Sequence, residues 1–374
     1  MRMFKEVLRE SFPGLCVTLL VAVVCVFLAE AVKYLIRGAG PVAARLLVGF
    51  SDAFLLGLIV GIVIRSLAGF RIRTLTAGFL LAPLIFIPIG TLLYGAKYLN
   101  IVKFYDIVQF KPLTAILTAI FMIIYISTIC LLSKLLKIDE RTCYLTAVGS
   151  ATEASAIAIT FQAVEAEPRH VSTSLLSIFL VAVLGITIIY PQIAEMTRMP
   201  AEEYGIFTGG ILQFIGFVKA ATGLGAPAGL QPVIAAQGIQ KNVALPLTAF
   251  RFLWLLVLIP LFATLARRKP YIPWFLWGFL LVGLLFSTLY AAGERPNCDN
   301  PTSLNLYGAI YCKAYAVSDL LVNYLWTVVM VAIGLQIDIR DILNIEFLKT
   351  FLIAFTAFII NVSAFLLCIR AGFL

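Results

Sequence analysis

The sequence predicts an all-α integral membrane protein with about eleven transmembrane helices. Hydrophobic residues make up 62% of the 374-residue chain, charged residues make up only 13%, and the mean hydropathy is +1.03. Soluble domains are roughly half apolar and a quarter charged, so no soluble core could bury this much apolar surface. The charged residues also lie in short clusters between long apolar runs, which is typical of loops between membrane spans.

Each predicted span is an apolar run able to cross a hydrocarbon core of about 30 Å at 1.5 Å per residue. Helix is the expected conformation, because a backbone in lipid must satisfy its own hydrogen bonds and no run alternates like a barrel strand. The first run follows three basic residues, but it is too long for a signal peptide. The predicted spans are 14–36, 48–69, 75–96, 110–136, 142–165, 171–195, 203–223, 242–266, 272–291, 316–338 and 347–370.

We interpret residues 1–374 as one transmembrane domain. Residues 1–42 would form an extra N-terminal helix, and residues 43–199 and 200–374 would form two five-helix repeats. An odd number of helices per repeat makes the second repeat run inverted in the membrane, as in many secondary transporters. We therefore expect two inverted repeats with discontinuous helices at the centre.

Basic residues indicate how the chain is oriented. The net charge of +9 is spread beside many spans and forms no single basic face, so we expect no nucleic-acid partner. Clusters at 134–141 and 267–269 favour a cytoplasmic N-terminus in a bacterial inner membrane. This orientation puts the polar loop 292–315 outside, where oxidising conditions permit a disulfide between Cys298 and Cys312. Two unrelated thiols are the alternative.

The segment 142–160 does not resemble a lipid-facing helix. It reads TCYLTAVGSATEASAIAIT, with small and hydroxylated residues around one carboxylate. Such residues must face protein or water. A break near Gly149 and Ser150 would present free N–H groups and a positive helix end at mid-membrane, a standard way to hold an anion. The alternative is a tightly packed interior helix with back-bonded hydroxyls. The candidate binding residues here are Gly149, Ser150, Thr152, Glu153 and Ser155.

The segment 204–225 is the second candidate for a broken helix. It is rich in glycine, and the pair Gly209 and Gly210 suggests a break or bend. Lys219 stands among apolar neighbours and either contributes to a site or snorkels to the interface. Arg251, further along, also either snorkels or pairs with an oxyanion. The candidate binding residues are Thr208, Gly209, Gly210, Gln213, Lys219 and Arg251.

Five blocks of this sequence resemble the sulfate exporter family, also called YeiH-like, of bacterial inner-membrane proteins. They are ERTCYLTAVGSATEASAIAI, EEYGIFTGGILQF, LTAFRFLWLLVLIPL, IPWFLWGFLLVGLLFS and VVMVAIGLQIDIRDI. The resemblance implies an inverted-repeat fold related to the bile acid and citrate symporters, and transport of a small anion. The chain departs from the family pattern at two places. Glu153 aligns with a Cys that the family usually has, and Gln213 and Phe214 replace its His-Glu pair.

These observations predict a secondary active transporter of a small anion, such as a sulfate-like oxyanion, bicarbonate or a small carboxylate, coupled to protons or sodium. The site would lie between 149–155 and 209–219, assisted by Arg251. The protonation of Glu153 and Lys219 would follow substrate occupancy. A cation/proton antiporter is the alternative. A passive channel is a lesser alternative, because the lining of a channel uses similar residues.

An enzyme is disfavoured, because His170 is the only histidine and few acids lie within spans. For the same reason we expect no metal site, and with no nucleotide-binding motif we expect no cofactor. The expected partners are the transported ion and the lipid bilayer, and a homodimer is left open.

Overall fold

The computed structural model describes residues 2–38, 43, 47–69, 74–110, 112–223, 226–227, 229–298, 304–342 and 344–373, and every regular element within these ranges is helical. The α-helices are α1 (Arg2–Arg37), α2 (Ala53–Ala68), α3 (Thr76–Tyr98), α4 (Ile101–Phe110), α5 (Pro112–Leu135), α6 (Glu140–Ala151), α7 (Ala156–Ala163), α8 (Pro168–Leu184), α9 (Tyr190–Thr197), α10 (Ala201–Ile211), α11 (Ile215–Ala221), α12 (Gln231–Ala236), α13 (Leu245–Leu253), α14 (Leu255–Arg267), α15 (Trp274–Ala292), α16 (Leu306–Gly334), α17 (Ile339–Ile342) and α18 (Ile345–Arg370).

The predicted fold class is confirmed. Within the described ranges, 8 helices are long and apolar enough to cross a membrane, and α2 is a shorter apolar helix. Two of these spans contain a π-helical turn: Gly185–Ile189 joins α8 to α9, and Gln240–Ala244 leads into α13. The predicted loop 292–315 is shorter than expected, because α16 begins at Leu306 with its N-terminus capped by Asn305.

The predicted span 142–165 is wrong, because this segment enters the membrane and returns. Helices α6 and α8 pack in parallel: the Thr146 hydroxyl donates to Ser174 Oγ at 2.9 Å, and the Ser174 hydroxyl donates to the Thr142 carbonyl at 3.2 Å. Both helices therefore begin at the same face, and α7 must run back to it. Consistently, His170 Nε2 lies 3.7 Å from Asp139 Oδ1. We call α6 and α7 hairpin 1.

The predicted span 203–223 is wrong for the same reason. Helix α10 packs in parallel with α13, and the Thr248 hydroxyl donates to the Gly209 carbonyl at 3.3 Å. The end of α11 returns to the beginning of this span, where Gln240 Nε2 donates to Thr222 Oγ1 at 3.0 Å. We call α10 and α11 hairpin 2. Because the span α8–α9 lies between the hairpins, they enter from opposite faces.

The two faces are named by what lies at them. The N-terminal face is the one at which α1, α6 and α8 begin; near the start of α1, Gly14 contacts the backbone of Leu75 and Gly78, just where α3 starts. The disulfide face is the opposite one. It carries the loop after α15, where Cys298 forms a disulfide with Cys312 near the start of α16. Hairpin 1 enters from the N-terminal face and hairpin 2 from the disulfide face.

The helices form two bundles. The flanking bundle contains α1, α2, α3, α15 and α16, which pack mainly on one another. Its helices approach closely at glycines: a Cβ on Gly61 would lie 3.0 Å from Gly334, so side chains at these positions would separate α2 from α16. The hairpin bundle contains both hairpins with α5, α8–α9, α13–α14 and α18.

The helices of the flanking bundle run in two opposite directions. Helices α2 and α16 run parallel, with Gly57 beside Thr327 and Gly61 beside Gly334. Helices α3 and α15 are also parallel, and they run the opposite way. The first set reads α2, α3, α5, hairpin 1, α8–α9, whereas the second begins with hairpin 2 and α13–α14. The inverted relation of the two sets and the division at residue 200 stay predictions.

Re-entry of hairpin 1 can be tested by labelling. In a background whose five free cysteines are serine, Glu140→Cys and Glu165→Cys mark the two ends of hairpin 1. Both should react with a membrane-impermeant maleimide from the same side of oriented membranes. Glu195→Cys, at the end of α9, should react only from the other side. Reaction of Glu140→Cys and Glu165→Cys from opposite sides would show a crossing segment instead.

Candidate functional site

The tips of the two hairpins meet inside the hairpin bundle. The tip of hairpin 1 is residues 152–155 and that of hairpin 2 is residues 212–214, between their paired helices. They join directly, because the Ala154 N–H donates to the Gln213 carbonyl at 3.0 Å. Four helix ends therefore converge here: the C-termini of α6 and α10 and the N-termini of α7 and α11. Such ends carry unsatisfied backbone groups and partial charges that lipid cannot satisfy.

Arg251 holds the two helix C-termini. It lies on α13 with no solvent exposure, at 0%. Its Nε donates to the Ala151 carbonyl at 2.9 Å and Nη2 to the Ser150 carbonyl at 3.1 Å, both at the end of α6. Nη1 donates to the carbonyls of Gly209 at 3.3 Å and Leu212 at 2.7 Å, at the end of α10. The cation thus lies where two negative helix ends meet, which compensates its burial.

Glu153 has the complementary position at the helix N-termini. Its carboxylate accepts from the Ser155 N–H at 2.7 Å and from the Ser155 hydroxyl. It also accepts from the N–H of Ile215, the first residue of α11. The side chain is buried, with 4% exposure. Glu153 and Arg251 are thus opposite charges that satisfy opposite helix ends at one place.

Small side chains let hairpin 1 close. A Cβ on Gly149 would lie 2.6 Å from a side-chain carbon of Ile157 on the returning helix, so any larger residue would separate α6 from α7. At the tip, the Thr152 hydroxyl donates back to the Val148 carbonyl at 2.7 Å and satisfies the last turn of α6. The predicted break at Gly149 and Ser150 lies close to the observed one, which begins after Ala151.

Glycine has the same function in hairpin 2. Gly209 lies against the backbone of Ala244, and a Cβ there would come within 2.8 Å of the Ala244 Cα. The Thr208 hydroxyl donates to the Tyr204 carbonyl at 2.9 Å, as in an ordinary helix. Gly210 has no such close contact, since its nearest neighbour is Thr118 Oγ1 at 3.7 Å. The observed break lies after Ile211, less than one helical turn beyond the predicted glycine pair.

Two buried polar atoms at the tips have no hydrogen-bond partner among the described residues. Gln213 Nε2 donates to the Tyr125 hydroxyl at 3.1 Å, and that hydroxyl donates to the Ile211 carbonyl at 3.2 Å. Gln213 Oε1 and Ser150 Oγ are left without a partner, although both residues are fully buried. Buried polar atoms are normally satisfied, so these oxygens are available to a proton donor, a water or a cation.

Aromatic residues of α3, which the sequence analysis missed, connect the flanking bundle to the tips. The Tyr94 hydroxyl shares a hydrogen bond with the Ser155 hydroxyl. Phe252, the neighbour of Arg251, stacks on Tyr98 at a centroid distance of 4.2 Å and on Tyr94 at 5.5 Å. The spacing of Tyr94 and Tyr98 by one helical turn was the available signal, but apolar neighbours surround both. The tips therefore lie at the boundary between the two bundles.

A cavity opens between the bundles at each face. The cavity at the N-terminal face has a volume of about 750 Å³ and contains Arg65, Arg169 and Arg340 together with Glu167 and Glu346. The cavity at the disulfide face, which we call the vestibule, has a volume of about 580 Å³ and reaches Ile215 at the tip of hairpin 2. The described residues that line the vestibule include four basic side chains and no carboxylate: Lys97, Lys103, Lys219 and Arg295.

Lys219 lies in the vestibule and not beside Glu153. It is exposed in the last turn of α11, four residues beyond the Ile215 N–H that contacts Glu153, or about 6 Å along the helix axis. No ion pair joins the two residues in the part of the chain that the structure describes. The structure brings the predicted site residues of the two hairpin tips together with Arg251. Lys219 lies apart from them, in the vestibule.

The described residues contain no group of three or more His, Cys, Asp and Glu side chains that could hold a metal ion. A second carboxylate, Asp52, is the N-cap of α2. It lies beside Gly216 at the start of α11. Asp52 belongs to the flanking bundle and Glu153 to the hairpin bundle, so the two carboxylates lie on opposite sides of the boundary.

These features define a class: a multi-pass α-helical membrane protein with two opposed re-entrant hairpins. The chain belongs to the family described as conserved hypothetical protein 698, whose model matches residues 13–354. This family is consistent with the resemblance found in the sequence blocks. No solved structure matches the chain.

Curated relatives cover most of the chain. A UPF0324 membrane protein of Archaeoglobus fulgidus is 28% identical over 269 residues, which cover 71% of this chain and 73% of the relative. One from Bacillus cereus is 26% identical over 276 residues, covering 73% and 72%. One from Staphylococcus aureus is 25% identical over 320 residues, covering 84% and 87%. All three are named as membrane proteins, which agrees with the multi-pass architecture.

The role of Arg251 can be tested by stability. Arg251→Gln leaves several buried carbonyls at two helix ends without a charged donor, and should cost about 3 kcal/mol or more. Arg267→Gln is the matched control, because Arg267 also donates to hairpin carbonyls, those of Gln162 and Ala163, but at the partly exposed outer end of hairpin 1. It should cost about 1 kcal/mol. Equal losses of thermal stability in purified protein would reject the special role of Arg251.

Proposed function

We propose that this chain is a secondary active transporter of a small anion, in which the hairpin bundle moves against the flanking bundle. The observation that supports this proposal best is the pair of opposed hairpins. Their tips meet between the two faces, at the boundary of the bundles, and a cavity approaches from each face. Alternating access requires a central site that each face can reach in turn.

The contacts between the bundles suit a sliding or rocking movement. Around the tips they consist largely of aromatic rings, such as Phe252 on Tyr98, with the Tyr94 to Ser155 hydrogen bond as the polar link. Offset-stacked rings have no single fixed partner atom, so they can re-form their contacts at a new register. The hairpin bundle is internally fastened by Arg251, so it can move as one body.

The charge of the vestibule favours an anion. Four basic side chains and no carboxylate line its described walls. Asp319 neutralises Lys97 from outside the lining, and the remaining basic excess attracts anions. The disulfide between Cys298 and Cys312 suits an oxidising exterior, and basic residues at 134–141 and 267–268 suit a cytoplasmic N-terminal face. The vestibule would then face outward from the plasma membrane.

Glu153 offers a way to couple protons to the anion. Its carboxylate accepts hydrogen bonds from the N–H groups of Ser155 and Ile215, and an oxyanion would accept from the same donors. When Glu153 is ionised, it occupies these donors and repels an incoming anion. When Glu153 takes up a proton, it holds them less strongly, and the anion can replace it. Proton and anion would therefore move in the same direction.

A cation/proton antiporter is the second candidate, and one observation favours it. Glu153, Gln213 Oε1 and Ser150 Oγ supply oxygen atoms at the tips, and the last two have no partner among the described residues. Oxygen ligands of this kind suit a hard cation. Substrate charge separates the two candidates.

The test is transport in proteoliposomes with an imposed pH gradient, using sulfate, sulfite, bicarbonate and small carboxylates. We expect a pH gradient with the acidic side outside the vesicles to drive uptake of at least one anion. Glu153→Gln should remove the dependence on the gradient, since glutamine cannot release a proton. Glu195→Gln, an exposed carboxylate at the end of α9, is the control and should retain coupled flux.

The outcomes differ clearly between the candidates. Gradient-driven anion flux that is lost in Glu153→Gln but kept in Glu195→Gln supports the proposal. Exchange of sodium or potassium for protons, without anion movement, supports the antiporter. Anion flux that equilibrates but never accumulates against its gradient, in the native protein as in Glu153→Gln, indicates a channel.

A further inference from the structure

The vestibule has a second property besides its positive charge: its walls are aromatic. Six rings line it, contributed by both bundles. Phe250 of the hairpin bundle stacks on Phe104 with a centroid distance of 5.0 Å and an interplanar angle of 5°. Across the cavity, Tyr311 contacts Tyr290 at 5.3 Å and Tyr315 at 5.9 Å. The lining rings are Tyr98, Phe104, Phe250, Tyr290, Tyr311 and Tyr315.

The ammonium groups of the vestibule lie on these rings. Lys103 Nζ is 5.0 Å from the centroid of Tyr290, and Lys97 Nζ is 5.1 Å from that of Tyr98. Lys97 also forms an ion pair with Asp319, so the positive charge of Lys97 is more neutralised than that of Lys103. A ligand whose charge meets these ammonium groups would therefore place the rest of its body against aromatic faces.

The side-chain amide of Asn100 adds a polar group to the vestibule wall. Asn100 lies in the vestibule wall, where its Oδ1 accepts from the Lys103 N–H at 3.1 Å. Its Nδ2 donates to the Tyr311 hydroxyl in the same wall. An amide nitrogen carries two N–H groups, so one donor remains for a ligand oxygen. Lys103 and Asn100 are close in the chain and would bind the same acidic group.

The volume of the vestibule exceeds what an inorganic oxyanion needs. At about 580 Å³ it lies within the range of about 300–1,000 Å³ that is typical of sites for organic small molecules. A tetrahedral oxyanion would leave the rings without contact. Apolar and aromatic walls with a few placed polar groups are the general form of an organic-ligand site.

We propose that the vestibule binds an organic anion, with its carboxylate or sulfonate group held by Lys103 and the Asn100 amide and its apolar body on the rings of Tyr290 and Tyr311. This inference rests on the proposed transport function and narrows its substrate class from inorganic to organic anions. The vestibule is the first site on the path, before the anion reaches the hairpin tips at Ile215.

The test is direct binding to the full-length, disulfide-intact protein in nanodiscs, measured by titration calorimetry. The probes are sulfate, methanesulfonate and benzenesulfonate, which share a head-group chemistry and differ in their apolar body. We expect benzenesulfonate to bind at least tenfold more tightly than the other two. Lys103→Gln should weaken benzenesulfonate binding at least fivefold. Lys313→Gln is the control, because Lys313 is an exposed lysine of α16 that does not line the vestibule, and its replacement should leave the affinity unchanged.

A second variant keeps the test independent of charge. Tyr290→Leu retains an apolar side chain but removes a ring, and should reduce the difference between benzenesulfonate and methanesulfonate. Equal affinity for the two sulfonates, or benzenesulfonate binding that is unchanged in both Lys103→Gln and Tyr290→Leu, overturns the inference.

Failure of this inference can be distinguished from failure of the proposed function. Sulfate flux that benzenesulfonate neither enters nor inhibits overturns the organic-anion site and leaves anion transport standing. Tight benzenesulfonate binding that Lys103→Gln removes, in a protein that carries no anion at all, supports the site and rejects transport.

Discussion

The interaction on which this architecture depends is the set of hydrogen bonds from Arg251 to the converging ends of α6 and α10. A helix that stops inside a membrane leaves several carbonyls unsatisfied, and two such helices meeting end to end add their negative ends together. Lipid offers no donor. One guanidinium offers five N–H groups in a fixed plane, and four of them are used here. Without such a cation, neither hairpin could end where it does.

The charge of Arg251 would itself be costly to bury if Glu153 were absent. Glu153 lies at the other two helix ends, where the partial charges are positive, and it completes a neutral arrangement of two side chains and four helix termini. No direct ion pair is needed, because each charge is satisfied by backbone groups of the opposite sign. This arrangement leaves Glu153 free to change its protonation without breaking a bond to Arg251.

Much of the fold could be predicted from the sequence, because span length and apolar composition are local properties. Nine of the predicted spans coincide with the eight long apolar helices and the shorter α2, and both unusual segments are broken near the predicted residues. Re-entry could not be predicted in this way. A segment of about 24 residues has the same length and composition whether its second half continues or returns, and the direction is decided by contacts with distant helices, such as Thr146 with Ser174.

The candidate site was predicted in part for a related reason. Glu153, Ser155 and Gln213 were found because polar residues inside a span need an explanation. Arg251 and Lys219 could not be assigned, because each lies within reach of a helix end in the sequence and long cations snorkel when they can. The structure separates them: Arg251 is fully buried at the tips, and Lys219 is exposed in the vestibule. Only the return of hairpin 2 brings Lys219 back to the disulfide face.

The carboxylate at position 153, where the resemblance implies a cysteine, has a physical consequence for the transport proposal. A thiol at this position would leave the N–H groups of Ser155 and Ile215 without an anionic partner, so an external anion would be needed to balance Arg251 and the helix N-termini. Glu153 supplies that anion from within the chain. An external anion must then displace an internal one, and only protonation of Glu153 makes the exchange electrically neutral. Under the transport proposal, tight coupling to protons would thus follow from this one residue.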